Sequence, residues 1–195
     1  MFNQARPAIV FMLLFSVILG GAYPAMVTVA GVLLFPAQAE GSFIRKADGE
    51  VIGSSLIGQV TTSPGYLWPR PSAAGGGYNA AASSGSNLGP LNPDLIERVA
   101  ADAAAVRTYA PEGAIPADAV TSSASGLDPH ISPEFAALQL DRIAQARRID
   151  TSAVAHAIAA NTETPLLGFI GQPRVNVLMT NLQLDREYPV PVEAE

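Results

Sequence analysis

The chain has 195 residues, with 17 Asp and Glu against 11 Lys and Arg and a formal net charge of −6. That length suits one domain plus an anchor, and the acidity leaves no basic stripe to neutralise phosphates, so nucleic acid is not an expected partner. There is no cysteine, which excludes disulfide scaffolds, zinc–thiolate sites and thiol catalysis.

Residues 7–39 carry no formal charge, a run longer than the ~20 residues that cross a bilayer core. Ala37-Gln38-Ala39 fits the small-x-small rule for signal cleavage. A signal core, however, spans roughly 7–15 residues, about half of this run. The run is therefore read as a retained transmembrane helix over 7–35, in a lipid bilayer, with 1–6 as a cytoplasmic N-terminus and 36–195 as the domain. Arg6 and the signal-like layout favour the N-terminus inside and the domain extracytoplasmic. Arg45 and Lys46 lie after the span among Glu40, Asp48 and Glu50, so the positive-inside rule does not choose cleanly. Pro24 predicts a kink, because it removes the bond normally made to Gly20. Ser16, Gly20, Pro24, Thr28 and Gly31 recur every three or four residues. They form a stripe of narrow side chains, the pattern by which membrane helices pack on a partner helix. No ionisable side chain interrupts the span, and one uncharged helix encloses no pore, so any part in ion transport is that of a subunit.

Residues 40–195 hold all 17 acidic side chains and 10 of the Lys and Arg, a net charge of −7. Leu56-Ile57-Gly58-Gln59-Val60 predicts a short buried strand. The stretch 61–92 is crowded with Ser, Gly, Ala and Pro and predicts an irregular loop. Structureless loops of this length are uncommon in compact domains. Interleaved aromatics argue that it packs on its own domain or on a partner, with Trp68, Arg70, Tyr78, Asn79 and Asn87 as candidate packing or docking residues.

Asn92-Pro93-Asp94 is a helix start: a cap, a proline in the first turn and an acid at the positive end of the dipole. Leu95, Ile96, Val99, Ala103 and Val106 form its apolar face, and Pro111 ends it. Ser132-Pro133-Glu134 repeats the signal for a helix with Phe135, Leu138 and Ile143 inward and Arg142, Arg147 and Arg148 in its later turns. Asp150 or Thr151 caps a third helix carrying Val154 and Ile158, and Val175-Asn176-Val177-Leu178-Met179 alternates like a strand. Helices and strands mix without a βαβ rhythm, so the expected fold is α+β: one transmembrane helix and one mixed extracytoplasmic domain.

Catalytic constellations are poor. Asp128-Pro129-His130 lies close in sequence to Ser123-Ala124-Ser125-Gly126, but no Gly-x-Ser-x-Gly elbow is present. Asp128 and His130 would supply only two ligands to a metal. Asn92, Asp128 and Ser132 read as turn or cap residues, and His156 as a surface or packing residue. Gly75-Gly76-Gly77 lacks the Lys-Ser/Thr and helix start of a phosphate cradle, and there is no Asp-Lys-Thr-Gly phosphorylation sequence. No catalytic or metal residue is assigned, and no cofactor motif is recognised.

An ordered set of stretches resembles the KdpC family, the C subunits of bacterial Kdp-type potassium-transporting ATPases. These include Gly20-Gly21-Ala22-Tyr23-Pro24, Gly53-Ser54-Ser55-Leu56-Ile57-Gly58-Gln59, Ser86-Asn87-Leu88-Gly89, Val120-Thr121-Ser122-Ser123-Ala124-Ser125-Gly126-Leu127-Asp128 and Gly171-Gln172-Pro173-Arg174-Val175-Asn176-Val177. Pro69-Arg70-Pro71-Ser72 and Ser84-Gly85-Ser86-Asn87 depart from the family's usual Gly-Arg-Pro-Ser and Gly-Gly-Ser-Asn. The resemblance covers nearly the whole chain. It implies an accessory subunit in a plasma (inner) membrane complex with a channel-like potassium-binding subunit, a P-type ATPase subunit and a small single-span subunit. It also implies that ATP and potassium are handled by the complex, and that the C subunit raises the ATP affinity of the ATPase subunit. The alternative is an independent membrane-anchored binding protein.

Overall fold

The structure, a computed structural model, describes residues 4–191. Residues 1–3 of the expected N-terminus and 192–195 of the expected domain lie outside the described residues. The chain divides between Ser54 and Ser55 into two compact units.

The first unit is built on an apolar helix, Ala5–Leu34, of 30 residues. At 1.5 Å per residue it is about 45 Å long, ample for a hydrocarbon core of roughly 30 Å. It comprises α1 (Ala5–Val17), a π turn (Ile18–Ala22) and α2 (Tyr23–Leu34). None of these three segments contains a buried residue. The disturbance expected at Pro24 appears one turn earlier, as the π turn: the Tyr23 N–H donates back five residues to the Ile18 carbonyl. A proline that cannot donate to Gly20 is accommodated by one extra residue in the preceding turn. The short α3 (Pro36–Ala39) follows, then an antiparallel hairpin of β1 (Phe43–Arg45) and β2 (Val51–Ser54), with Phe43 opposite Ser54.

The second unit has α4 (Pro93–Arg107), α5 (Pro133–Ala137), α6 (Leu140–Arg147), α7 (Thr151–Ala160) and α8 (Val177–Glu187). Its sheet has the order β3-β5-β4, formed by β3 (His130–Ile131), β4 (Thr162–Glu163) and β5 (Arg174–Asn176), with both pairings antiparallel. α7 packs between α6 and α8. Leu67, Ile131, Phe135, Ile143, Val154, Val175 and Leu184 form the centre of the core. The helix starts follow from their caps. Asn92, Ser132, Asp150 and Asn176 each accept a backbone N–H in the first turn, at 2.8, 3.0, 2.7 and 3.1 Å. The caps at Asn92, Ser132 and Asn176 are worth about 1 kcal/mol each.

Several expectations are corrected. Residues 56–60 form no strand, and Leu56, Ile57 and Val60 are exposed. The segment is held instead by close backbone approach at Gly58, whose N–H donates to the Leu127 carbonyl at 2.9 Å. A Cβ at Gly58 would sit 2.7 Å from the Asp128 carbonyl oxygen. The helix expected from Pro133 onward is broken into α5 and α6 around Gln139, whose side chain is fully buried. The strand read over 175–179 stops at Asn176, because that side chain caps α8. Ile96 faces solvent, and α4 ends at Arg107, ahead of Pro111. Arg147 stands in the last turn of α6, as read from the sequence, and is 2% exposed.

Candidate functional site

The irregular stretch 61–92 is fastened to its own domain by side chains acting on its backbone. The Leu67 N–H donates to Asn181 Oδ1 at 2.7 Å, and the Leu67 carbonyl accepts from Asn181 Nδ2 at 2.9 Å. One residue on, Gln139 treats Trp68 the same way, at 2.8 and 3.1 Å. Two buried amides thus satisfy both backbone groups of a loop residue, as a neighbouring strand would. Arg142 donates to the Pro64 and Tyr66 carbonyls at 2.6 and 3.0 Å and stacks 3.6 Å above the Trp68 ring. Trp68 in turn meets Tyr109 edge-on at 5.4 Å. Burial pushes the Arg142 guanidinium down to about 10, still charged at neutral pH. Arg147 donates to the Gly65 and Tyr188 carbonyls, both at 2.6 Å, and to Asp185 Oδ1 at 2.9 Å.

Further along, Arg70 donates to the Thr121 carbonyl at 3.1 Å, to Thr121 Oγ1 at 3.3 Å and to Asp128 Oδ2 at 3.1 Å. Asp128 Oδ1 accepts the His130 backbone N–H at 3.0 Å, closing a turn ahead of α5. Burial raises the Asp128 pKa, but hydrogen bonds from His130 and Arg70 outweigh it and hold the carboxyl below its ordinary value. Tyr78, in a left-handed backbone conformation, donates its hydroxyl to the Arg70 carbonyl at 2.9 Å. Asn79 caps the short turn Ala80–Ala82 by accepting the Ala81 N–H. Asn87 is exposed with φ 51°, a conformation that asparagine tolerates better than most residues.

Between the loop and α4 lies an open cleft of about 360 Å³, lined by Trp68, Arg70, Tyr78, Asp102, Tyr109 and Phe135 among others. Asp102 Oδ2 is buried there without a hydrogen bond, and its ion pair with Arg98 is stretched to 4.0 Å. Burial raises the carboxyl above its usual value, offset in part by Arg98. The walls suit an apolar or aromatic group. His130 stands 3.5 Å from both Asp128 Oδ1 and Glu163 Oε1, while Ser123 and Ser125 accept the N–H groups of Gly126 and Leu127. No triad is assembled among these residues. Among the described residues, no group of three or more His, Asp or Glu is placed to hold a metal ion.

Comparison with known proteins decides what this domain belongs to. The family described as KdpC, K+-transporting ATPase, c chain, matches residues 5–186. The Potassium-transporting ATPase KdpC subunit of Caulobacter vibrioides is 58% identical over 189 residues, covering 97% of this chain and 96% of that protein. The KdpC subunit of Geobacter sulfurreducens is 50% identical over 188 residues, covering 96% of this chain and 100% of that protein. The chain belongs to the KdpC family.

As a KdpC chain it is an accessory subunit of a potassium uptake complex, and its N-terminal helix fits a single-pass membrane protein. The structure brings Trp68, Arg70 and Tyr78 to one cleft and leaves Asn79 and Asn87 on the outer side of the loop. Ser16, Gly20, Pro24, Thr28 and Gly31 lie in the other unit. A Cβ at Gly20 or Gly31 would meet nothing within 4 Å, so this chain's own packing does not require their small size. Sequence reasoning missed the residues that hold the loop: Gln139, Arg142, Arg147 and Asn181. Only their inward helical phase among Ile143, Ala144 and Leu184 signalled them, and polar residues in such phase are easily read as solvent-facing.

Proposed function

We propose that this KdpC chain binds the channel-like and P-type ATPase subunits of its complex through its membrane helix and its extracytoplasmic domain, and that this association raises the ATP affinity of the ATPase subunit. The observation that carries the reading is the bare helix. It is long enough to span a bilayer, uncharged from Pro7 onward and without a buried side chain. At two of its narrow positions, Gly20 and Gly31, an added Cβ would meet nothing within 4 Å. Helices associate in lipid through such close-packing positions.

With the N-terminus cytoplasmic, the domain lies on the side opposite to ATP. Its influence on nucleotide affinity then passes through the span or through the partner subunits. The test is purification of the complex with and without this chain, followed by measurement of potassium-stimulated ATPase activity across ATP concentration. A KM for ATP that rises several-fold without the chain supports the reading. An intact complex with an unchanged KM rejects it.

A further inference from the structure

The connection between β4 and β5 ends in an apolar tip. Leu166 and Ile170 exchange both backbone hydrogen bonds, at 3.0 Å each, and the chain reverses between them. Leu166, Leu167, Phe169 and Ile170 are 68, 76, 76 and 51% exposed. Four neighbouring large side chains left in water is not the ordinary scatter of single surface hydrophobics.

The tip's conformation makes the choice of residues more pointed. The Phe169 N–H donates to the Leu166 carbonyl at 3.4 Å, and the two residues between have positive φ, 56° at Leu167 and 81° at Gly168. Positive φ at both central positions is the requirement of a type I′ turn, which favours Asn-Gly. Gly168 meets that requirement, but Leu167 places a branched side chain in the left-handed region. Local turn chemistry therefore disfavours the residue, and no core contact compensates. A side chain kept against its own backbone preference, and held out in solvent, points to a contact outside the domain.

We propose that residues 166–170 are a docking knob that enters an apolar socket on another protein subunit of the same ATPase complex. This deepens the assembly reading above and rests on it. Charge selects the occupant. Residues 164–173 contain no charged residue, no Trp and no Tyr. At the base of the hairpin Arg174 and Glu163 neutralise each other at 2.6 Å. Phe and Leu also enter lipid surfaces, but segments that lie there are held by Lys and Arg attracted to anionic headgroups and by interfacial Trp and Tyr. This tip has no Lys, Arg, Trp or Tyr, and a domain of net charge −7 is repelled by an anionic surface. An uncharged apolar knob with a self-neutralised rim matches the dry centre of a protein interface.

The test uses the full chain co-expressed with the other subunits. Leu167→Asn gives the turn a residue suited to φ 56° while removing the apolar group, and Phe169→Ser removes the second. The double variant should melt no lower than the parent chain, and recovery of the complex in detergent should fall about tenfold or more. Leu91→Ser, at a residue 88% exposed elsewhere on the domain, serves as the control and should recover normally. A photo-crosslinker at position 169 should label one of the other subunits. Recovery of the double variant within about twofold of the parent overturns the proposal, as does crosslinking confined to lipid or to a second copy of this chain. If the parent chain itself does not co-purify, the assembly reading falls and takes the knob with it.

Discussion

Arg147 shows at the scale of one residue how this domain replaces regular structure with side-chain hydrogen bonds. Its guanidinium is fully buried and spans Gly65 in the loop, Tyr188 after α8 and Asp185 within α8. Arg147→Met leaves two carbonyls unpaired and Asp185 with only the Tyr66 hydroxyl, which donates to its Oδ2 at 3.0 Å. Removal of one member of a buried pair costs roughly 3–5 kcal/mol, and half-exposed Asp185 can take water, so the lower end is expected, read as the shift in urea midpoint. Glu163→Gln disturbs an exposed pair with Arg174, of a kind worth about 1 kcal/mol or less, together with a longer 3.5 Å contact to His130. The carboxylates Asp128 and Asp102 give opposite pH signatures. Asp128 is held below its ordinary pKa, so its stabilisation is complete above the unfolded value and is lost as pH falls through the folded one. Asp128→Asn should therefore lower stability at neutral pH and flatten the acid limb of a stability–pH curve. Asp102 is raised, so its contribution is complete below the unfolded value and is lost as pH rises through the folded one. Asp102→Asn should leave the acid end unchanged and raise stability at pH 7, because the buried oxygen no longer carries charge. A loss of stability at pH 7 would show that the stretched contact to Arg98 outweighs desolvation.

At the scale of elements, the π turn changes what the small-residue stripe means. At 100° per residue in a straight α-helix, Ser16, Gly20, Pro24, Thr28 and Gly31 would spread over roughly 120° of the circumference. The π turn at Ile18–Ala22 takes one more residue to come round, a lag of roughly 100° for everything beyond it. That lag draws the five positions into a sector of roughly 60°, narrow enough to meet a single neighbouring helix. Gly20→Leu, in the middle of this sector, should lower recovery of the complex by about fivefold or more, equivalent to ~1 kcal/mol. Val10→Leu, on another face, should not; equal recovery of both would remove the stripe's role. The spacing of the stripe is a feature of the sequence itself. The helix starts at Asn92 and Ser132 were legible there, and the third start was narrowed to Asp150 or Thr151, of which Asp150 is the cap, because capping is local chemistry that a few adjacent residues decide. Three features were not legible. The apolar run at 56–60 has the composition of a strand, but Gly58 and its carbonyl partner across the chain set its path. Alternation over 175–179 suits a strand, yet Asn176 turns the chain into a helix, and periodicity over five residues cannot separate the two. The path of the 61–92 loop depends on amides and guanidinium groups more than 70 residues away in sequence, as in the bonds from Gln139 to Trp68 and from Asn181 to Leu67.

At the scale of the whole molecule, charge and topology are linked through the span. A domain of net charge −7 beside an ion entrance would concentrate cations locally, but the Debye length of about 8 Å at physiological salt confines that effect to the immediate surface. Charge-neutralised surface variants should therefore leave the potassium affinity of the complex unchanged within about twofold at physiological salt; a larger loss there would give the acidity a role beyond solubility. Orientation depends on a finer balance. Lys and Arg near the ends of a span decide it, and acidic residues contribute little. In the first turn of the helix stands Arg6; beyond its far end stand Arg45 and Lys46. The two sides are nearly equal by that count, so Arg6 carries more weight than a lone arginine usually does. The expected outcome is that a reporter fused after Glu195 is active only if it is of the kind that matures outside the cytoplasm. Arg6→Glu should then yield a mixed population, because the cations after the span are no longer opposed by a charged side chain. The same fusion active in the cytoplasm of the parent chain would reverse the orientation. It would put the domain on the same side as ATP, and the proposed effect on nucleotide affinity would no longer need a route through the membrane. With extracytoplasmic activity, sensitive to Arg6, the proposed effect requires that route, and the narrow sector around Gly20 is then the part of this chain positioned to supply it.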